Sequence, residues 1–193
     1  MRIVSGKAKG IKLTAPKGRS LRPTEDRVKE ALFATLGNYV QNAMVLDLFS
    51  GTGALGLEAL SRGAENVYMF EKAPAHLPYI KQNILAVQKS MQNNCGLCKL
   101  FSTDAKNAPT ILNSLANKIN LILADPPYDV PKNAFGAEAL LLDTKLAEWC
   151  APECILVLEH HSDTILPWNE NAGWKLLKQK KMGIRTISFA KKQ

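Results

Sequence analysis

From Met44 onward the chain repeats one rhythm: an apolar run, a turn, then apolar residues spaced as on one face of a helix. The runs predict strands near 44–48, 67–70, 97–101, 119–124 and 154–158, and the intervals predict helices near 53–62, 76–89, 106–116 and 138–149. Strands alternating with helices need crossover connections, which means a parallel, doubly wound sheet. The rhythm breaks at the end. Residues 174–179 and 184–190 read as two strands around Met182-Gly183, too close for a crossover helix, so one must run antiparallel.

Ahead of Met44 the pattern is shorter in range. Residues 2–4 and 11–14 alternate like short strands around Ser5-Gly6 and Lys9-Gly10, predicting a small basic hairpin. Pro16, Gly18 and Pro23 mark a loop, and Thr24 is suited to cap a helix running to Leu36, with Val28, Leu32 and Leu36 on one face and Gly37 ending it. The chain therefore divides into an N-terminal appendage, residues 1–38, and a main α/β domain, residues 39–193.

A chain of 193 residues with 46% hydrophobic content suits one domain of this size. It has no apolar run of membrane-spanning length, and MRIVSGKAKGIKL lacks the apolar core of a secretory signal, so a cytoplasmic protein with no membrane partner is expected. Cys95, Cys98, Cys150 and Cys154 allow a zinc reading, but the pairs lie some fifty residues apart within or beside apolar runs. They read as reduced, partly buried thiols, and no metal is expected. His76, His160 and His161 lack a second ligand at helical spacing and read as surface or packing residues.

The net charge of +8 is unevenly placed. Residues 1–24 hold seven basic side chains and no acidic one, residues 171–193 hold seven more and again no acidic one, and the stretch between carries eleven basic and seventeen acidic residues. Two solvated ends would show the same pattern, but basic ends on an acidic body are also the mark of a polyanion binder.

Chemistry is concentrated at four strand ends. The first strand leads into Asp47-Leu48-Phe49-Ser50-Gly51-Thr52-Gly53-Ala54-Leu55-Gly56, and Glu71 closes the second strand twenty residues after Gly51. The glycine spacing and the acidic residue suit a dinucleotide as well as S-adenosylmethionine. Asp47 separates them: a carboxylate just before the glycine turn repels a pyrophosphate but suits a ligand with an ammonium group and a sulfonium centre. After the third strand comes Thr103-Asp104-Ala105, where Asp104 can accept the adenine amino hydrogen, cap the next helix, or both.

Asp125-Pro126-Pro127-Tyr128, after the fourth strand, carries the strongest signal. The prolines fix the backbone and remove N–H donors, so the loop presents carbonyl oxygens and a carboxylate. An aromatic amine that is to be methylated needs two acceptors for its N–H groups. Asp125 and the Pro126 carbonyl supply them, and Tyr128 can stack on the base.

The sequence resembles the RsmD family, bacterial 16S ribosomal RNA guanine-N2 methyltransferases, over essentially its whole length. The resemblance rests on Gly6-x-x-x-Gly10-x-x-Leu13, Leu21-Arg22-Pro23-Thr24-x-Asp26-Arg27-Val28-x-Glu30, the Asp47–Gly56 motif, Glu58-Ala59-Leu60-Ser61-Arg62-Gly63-Ala64, Glu71-Lys72 and Asp125-Pro126-Pro127-Tyr128. It implies a class I, Rossmann-like methyltransferase sheet, mostly parallel, with a C-terminal antiparallel hairpin, an N-terminal β-hairpin and a helix. It further implies a monomer that uses S-adenosylmethionine to methylate N2 of one guanine in 16S rRNA, within the small ribosomal subunit or an assembly intermediate.

Cofactor contacts are expected from Arg22, Thr24, Asp47, Ser50, Gly51, Thr52, Gly53, Glu71, Lys72, Asp104 and Ala105, and catalytic ones from Asp125, Pro126, Pro127 and Tyr128. RNA contacts are expected from Arg2, Lys7, Lys9, Lys12, Arg27, Lys180, Lys181 and Arg185, with Lys7, Lys9, Lys12, Lys180 and Lys181 forming one discontinuous surface around the site, and residues 129–137 read as a lid. The rivals are a DNA or other RNA amino-methyltransferase acting on adenine N6 or cytosine N4, a non-catalytic RNA-binding protein, and an NAD oxidoreductase.

Overall fold

Each apolar run becomes a strand. A computed structural model describes residues 1–16, 26–128, 131, 134–168 and 173–193. The strands are β1 (Met44–Asp47), β2 (Asn66–Phe70), β3 (Leu97–Phe101), β4 (Leu121–Ala124), β5 (Ile155–His161), β6 (Trp174–Met182) and β7 (Arg185–Lys192). They form one sheet in the order β3-β2-β1-β4-β5-β7-β6. β1 to β5 pair in parallel, and β7 runs antiparallel between β5 and β6, as the short Met182-Gly183 connection requires. Central strands of such a sheet are buried on both faces. Val45, Leu121 and Leu123 accordingly face one core layer, and Leu46 and Ile122 the other.

The first layer is covered by α1 (Asp26–Leu36), α2 (Ala54–Ser61) and α3 (Leu77–Ser90), the second by α4 (Ala108–Ile111), α5 (Ala137–Leu141) and α6 (Thr144–Trp149). Two predicted helices are broken. The 106–116 stretch divides into a 3-10 turn, α4 and a second 3-10 turn, with Pro109 in the first turn of α4. The 138–149 stretch splits at Asp143, whose carboxylate accepts the Leu146 N–H (3.1 Å) and so caps a new helix, α6. The predicted start of α1 at Thr24 falls outside the described residues.

The N-terminal arm is the short antiparallel hairpin expected, and α2 holds its turn. Its two limbs meet at the Arg2–Lys12 bridge, with Ile3 N–H donating to the Ile11 carbonyl (2.9 Å), Gly10 N–H to the Ile3 carbonyl (2.9 Å) and Leu13 N–H to the Met1 carbonyl (3.2 Å), while the turn between them is bound to α2. Val4 and Ser5 donate to the Glu58 carboxylate (2.8 and 3.0 Å), Lys7 N–H donates to the Ser61 carbonyl (2.8 Å), and Ala8 N–H donates to Ser61 Oγ (2.9 Å). A β-carbon on Gly6 would lie 2.0 Å from the Ser61 carbonyl oxygen, and Gly6 also has φ +81°, so only glycine fits there. The glycine-spaced arm and the Glu58–Arg62 motif are thus two halves of one contact.

Glu58 and Lys29 are both fully buried. Their charged atoms lie 3.5 Å apart, Arg62 Nε donates to Glu58 at 2.8 Å, and Lys29 also donates to the Arg2 carbonyl and lies 3.7 Å from Asp26. Burial lowers the Lys29 pKa from its ordinary value, and the two carboxylates oppose that shift. This network welds the arm and α1 to α2. Ile3, Leu13 and Leu32 share one core layer with Leu57 and Ile80, so residues 1–16 and α1 pack into the same core as the main domain.

Candidate active site

The chain runs outward from β1 to β2 and β3, then returns to β4 on the other side of β1. The carboxyl edge between β1 and β4 is therefore the topological switch point, where open α/β sheets bind ligands. Asp47 ends β1, Glu71 follows β2, and Asp125 follows β4.

On the β1–β2 side the loop 50–53 is fastened to its neighbours. Ser50 N–H donates to the Phe70 carbonyl (3.0 Å), and Gly51 and Gly53 take left-handed backbone angles (φ 55° and 81°) to turn the chain into α2. Glu71 holds the loop from below. One of its oxygens accepts the Gly51 N–H (2.8 Å), and the other accepts the Ala73 N–H (2.7 Å). Asp47 is 1% exposed, and one of its carboxylate oxygens accepts the Gly56 N–H (3.0 Å). Burial raises its pKa from 3.8 to about 7, with Glu71 pushing the same way and the Gly56 and Ser50 hydrogen bonds opposing.

Asp104 caps the turn that follows β3. One oxygen accepts the Lys106 N–H (3.1 Å) as a cap, and the other pairs with Lys72 Nζ (3.1 Å). Ala105 is buried beside it.

Asn83 escaped the sequence reading. It is buried in the middle of α3, and its side-chain N–H groups donate to the Thr52 and Thr14 carbonyls (2.9 Å each), while its oxygen accepts the Thr14 N–H (2.8 Å). It ties the arm to the glycine loop just before residues 17–25. Arg22 and Thr24, expected at the cofactor, lie outside the described residues.

On the β4 side Pro126 is buried and Asp125 half-buried. The Tyr128 hydroxyl donates to Glu159 Oε1 at 2.8 Å, and Arg185 Nε lies 3.6 Å from the same oxygen. Burial first, then the Glu159 carboxylate, push the Tyr128 phenol well above its ordinary value, so it stays protonated and donates. Glu159 was also missed. Its signal was present, because β1, β2, β4 and β5 each deliver an apolar run closed by a carboxylate: Leu46-Asp47, Phe70-Glu71, Ala124-Asp125 and Leu158-Glu159.

A family described as conserved hypothetical protein 95 matches residues 1–191. The chain belongs to this family, the RsmD family. Ribosomal RNA small subunit methyltransferase D of Escherichia coli is 33% identical over 187 residues, covering 95% of this chain and 85% of the relative. The YlbH protein of Bacillus subtilis is 31% identical over 194 residues, covering all of both chains. The solved structure of hypothetical protein TTHA0928 from Thermus thermophilus superposes with a TM-score of 0.75 at 26% identity, covering 98% of each chain.

Membership does not bring every expected RNA contact to one place. Arg2, Lys12 and Arg27 lie on the arm and at the start of α1, with Arg2 paired to Asp26 (3.4 Å). Lys180 and Lys181 approach the β6–β7 turn at the carboxyl edge, where Lys180 Nζ reaches back to the Ala31 carbonyl (3.5 Å). The expectation of one surface is corrected. Lys7 and Lys9 sit at the arm's tip on the opposite, amino edge, since Lys7 meets the end of α2 and lies 3.4 Å from the Asn94 carbonyl on the approach to β3. The Arg185 side chain is 12% exposed and turned onto Glu159.

Of the 129–137 segment, residues 129–130 and 132–133 lie outside the described residues; Phe135 stacks on Phe49 with centroids 6.0 Å apart. No described helix is long and apolar enough to cross a membrane, and among the described residues no group of three His, Cys, Asp or Glu is placed to hold a metal.

Proposed function

We propose that this protein transfers a methyl group from S-adenosylmethionine to the exocyclic N2 of a guanine in 16S rRNA, acting as a cytoplasmic monomer on the small ribosomal subunit or its assembly intermediate. One observation carries the reading. Two carboxyl groups, Asp47 and Asp125, end adjacent parallel strands at the switch point, one behind a glycine turn and the other opening Asp-Pro-Pro-Tyr.

The cofactor side fits a cationic ligand, because Asp47 is held near neutrality by burial and an ammonium group would stabilise its charged form. Glu71 has the lone pairs to receive ribose hydroxyls beside its backbone donors, and Asp104 with Ala105 would meet the adenine. When bound, the cofactor supplies the electrophilic methyl. The residues of the base side do the rest: Asp125 and the Pro126 carbonyl hold the amine hydrogens, and Tyr128 lies against the ring. Asp125 also balances the positive charge that develops on nitrogen. Positioning of this kind accounts for roughly 7–11 kcal/mol in well-oriented reactions. A guanine can enter only after leaving its stack, which favours a loop nucleotide.

The decisive experiment offers methyl-labelled cofactor with undermethylated small subunits, naked 16S rRNA and duplex DNA. Label should appear in the subunit RNA as N2-methylguanine by mass spectrometry. Label on adenine, cytosine or a ring nitrogen refutes the assignment.

A second test uses the Asp47 carboxyl. Because burial raises its pKa, the free protein gains stability from the protonated form, and that stability is lost as pH rises through about 7. A cation binds the ionised form, so affinity must fall as pH drops below that value. Calorimetric titration should show binding at pH 6 weaker than at pH 7.5 by about an order of magnitude, and Asp47→Asn should bind poorly with little pH dependence between them.

A further inference from the structure

Glu159 is 2% exposed, and neither the cofactor nor the proposed transfer step uses it directly. The parallel register pairs Ala124 with Leu158, so Asp125 and Glu159 leave neighbouring strands side by side at the carboxyl edge. A carboxylate this deep must be compensated, and it has named partners: the Tyr128 hydroxyl at 2.8 Å and Arg185 Nε at 3.6 Å. Arg185 comes from the first residue of β7, opposite His161 in the β5–β7 ladder, and the His161 ring meets the Tyr128 ring edge-on with centroids 5.6 Å apart. Two extended strands thus grip one aromatic ring that belongs to a loop.

We infer that Glu159 is the positioning residue for Tyr128. It fixes the ring tip so that the ring plane is set before the target base arrives, and Arg185, 3.6 Å away, holds the carboxylate in place. The inference rests on the reading of Tyr128 as the stacking platform for the base. Pro126 and Pro127 restrain the backbone of the loop, but proline does nothing for the two side-chain torsions of the next residue. Those torsions are what the Glu159 hydrogen bond removes. A ring left free to turn would meet the incoming base in unproductive orientations, and misplacement of a positioned group is costly even when no reacting atom is lost.

The test is a double-mutant cycle on the full chain, read as methyl transfer to undermethylated small subunits and, separately, as cofactor affinity. Tyr128→Phe keeps the ring and deletes its tether; Glu159→Ala deletes the anchor. Each should lower kcat by about tenfold, on the order expected for losing a hydrogen bond to a charged group, while cofactor affinity stays within twofold. The double variant should be no worse than the poorer single, because both changes remove one interaction. Glu159→Gln, which keeps an oxygen acceptor, should recover most of the Glu159→Ala loss.

Losses that multiply in the double variant, or a Gln variant no better than Ala, would overturn the inference. Should Glu159→Ala fail to fold, Tyr128→Phe decides alone, and an unchanged kcat overturns it. Absence of any transfer to subunits by the unmodified protein would strike at the proposed function, whereas transfer with a multiplicative cycle would strike at the Glu159 assignment only.

Discussion

Asp125→Ala should lower methyl transfer to the small subunit on the order of a hundred- to a thousandfold while leaving the affinity for S-adenosylmethionine essentially unchanged. The separation follows from the sheet. Asp125 leaves β4, on the far side of β1 from the loops of β2 and β3 that carry Glu71 and Asp104. Its expected work is to hold the amine and to meet the positive charge that grows on nitrogen, both of which matter most at the transition state. Asp125→Asn keeps one acceptor oxygen and loses the charge, so it should fall between Ala and the unmodified protein. Single-turnover transfer and calorimetry on the same preparations would check both halves. A parallel fall in cofactor affinity would place Asp125 on the wrong side of the site.

The largest effect on stability is expected from Glu58→Ala. Its carboxylate accepts the backbone N–H groups of Val4 and Ser5 and the Arg62 guanidinium, and it faces the buried Lys29 ammonium. Removing one partner of a buried pair costs about 3–5 kcal/mol, because the other charge is left without compensation. For a domain of this length that corresponds to a fall in Tm of roughly 10 °C or more. Lys29→Met should cost less. It removes the ammonium, but Glu58 keeps Arg62 and two backbone donors, and methionine fills most of the vacated space. Thermal unfolding that ranks the two variants the other way would assign the network's importance to Lys29 instead.

The sheet was legible because parallel strands buried on both faces leave continuous apolar runs, and the final hairpin because no helix fits between residues 179 and 184. The broken helices were not, since Asp143 is unremarkable until its carboxylate is seen to cap α6. Within the site, the glycine loop, Asp47, Glu71 and Asp125-Pro126-Pro127-Tyr128 could be read from spacing alone. Glu159 could have been, had the recurrent carboxylate at strand ends been taken as a pattern. Charge was the poorest guide. A count of basic residues carries no direction, so Lys7 at the amino edge, Arg185 against Glu159 and Lys29 in the core all look like surface cations in the sequence. Asn83 had no signal at all, because its meaning lies in Thr14, sixty-nine residues away.

That separation has a consequence for the order in which the molecule can be built. The arm is synthesised before the elements that hold it: its hydrogen-bond partners Glu58 and Ser61 follow it by more than fifty residues, and Asn83 by still more. Contacts so distant in sequence are slow to form, since the intervening chain must first be closed into a loop. A nascent chain therefore carries the arm basic and unpaired until α2 and α3 have emerged. The Asn83 tie between the arm and the glycine loop closes only when Thr14 folds back, so residues made before α2 and α3 join the site after them.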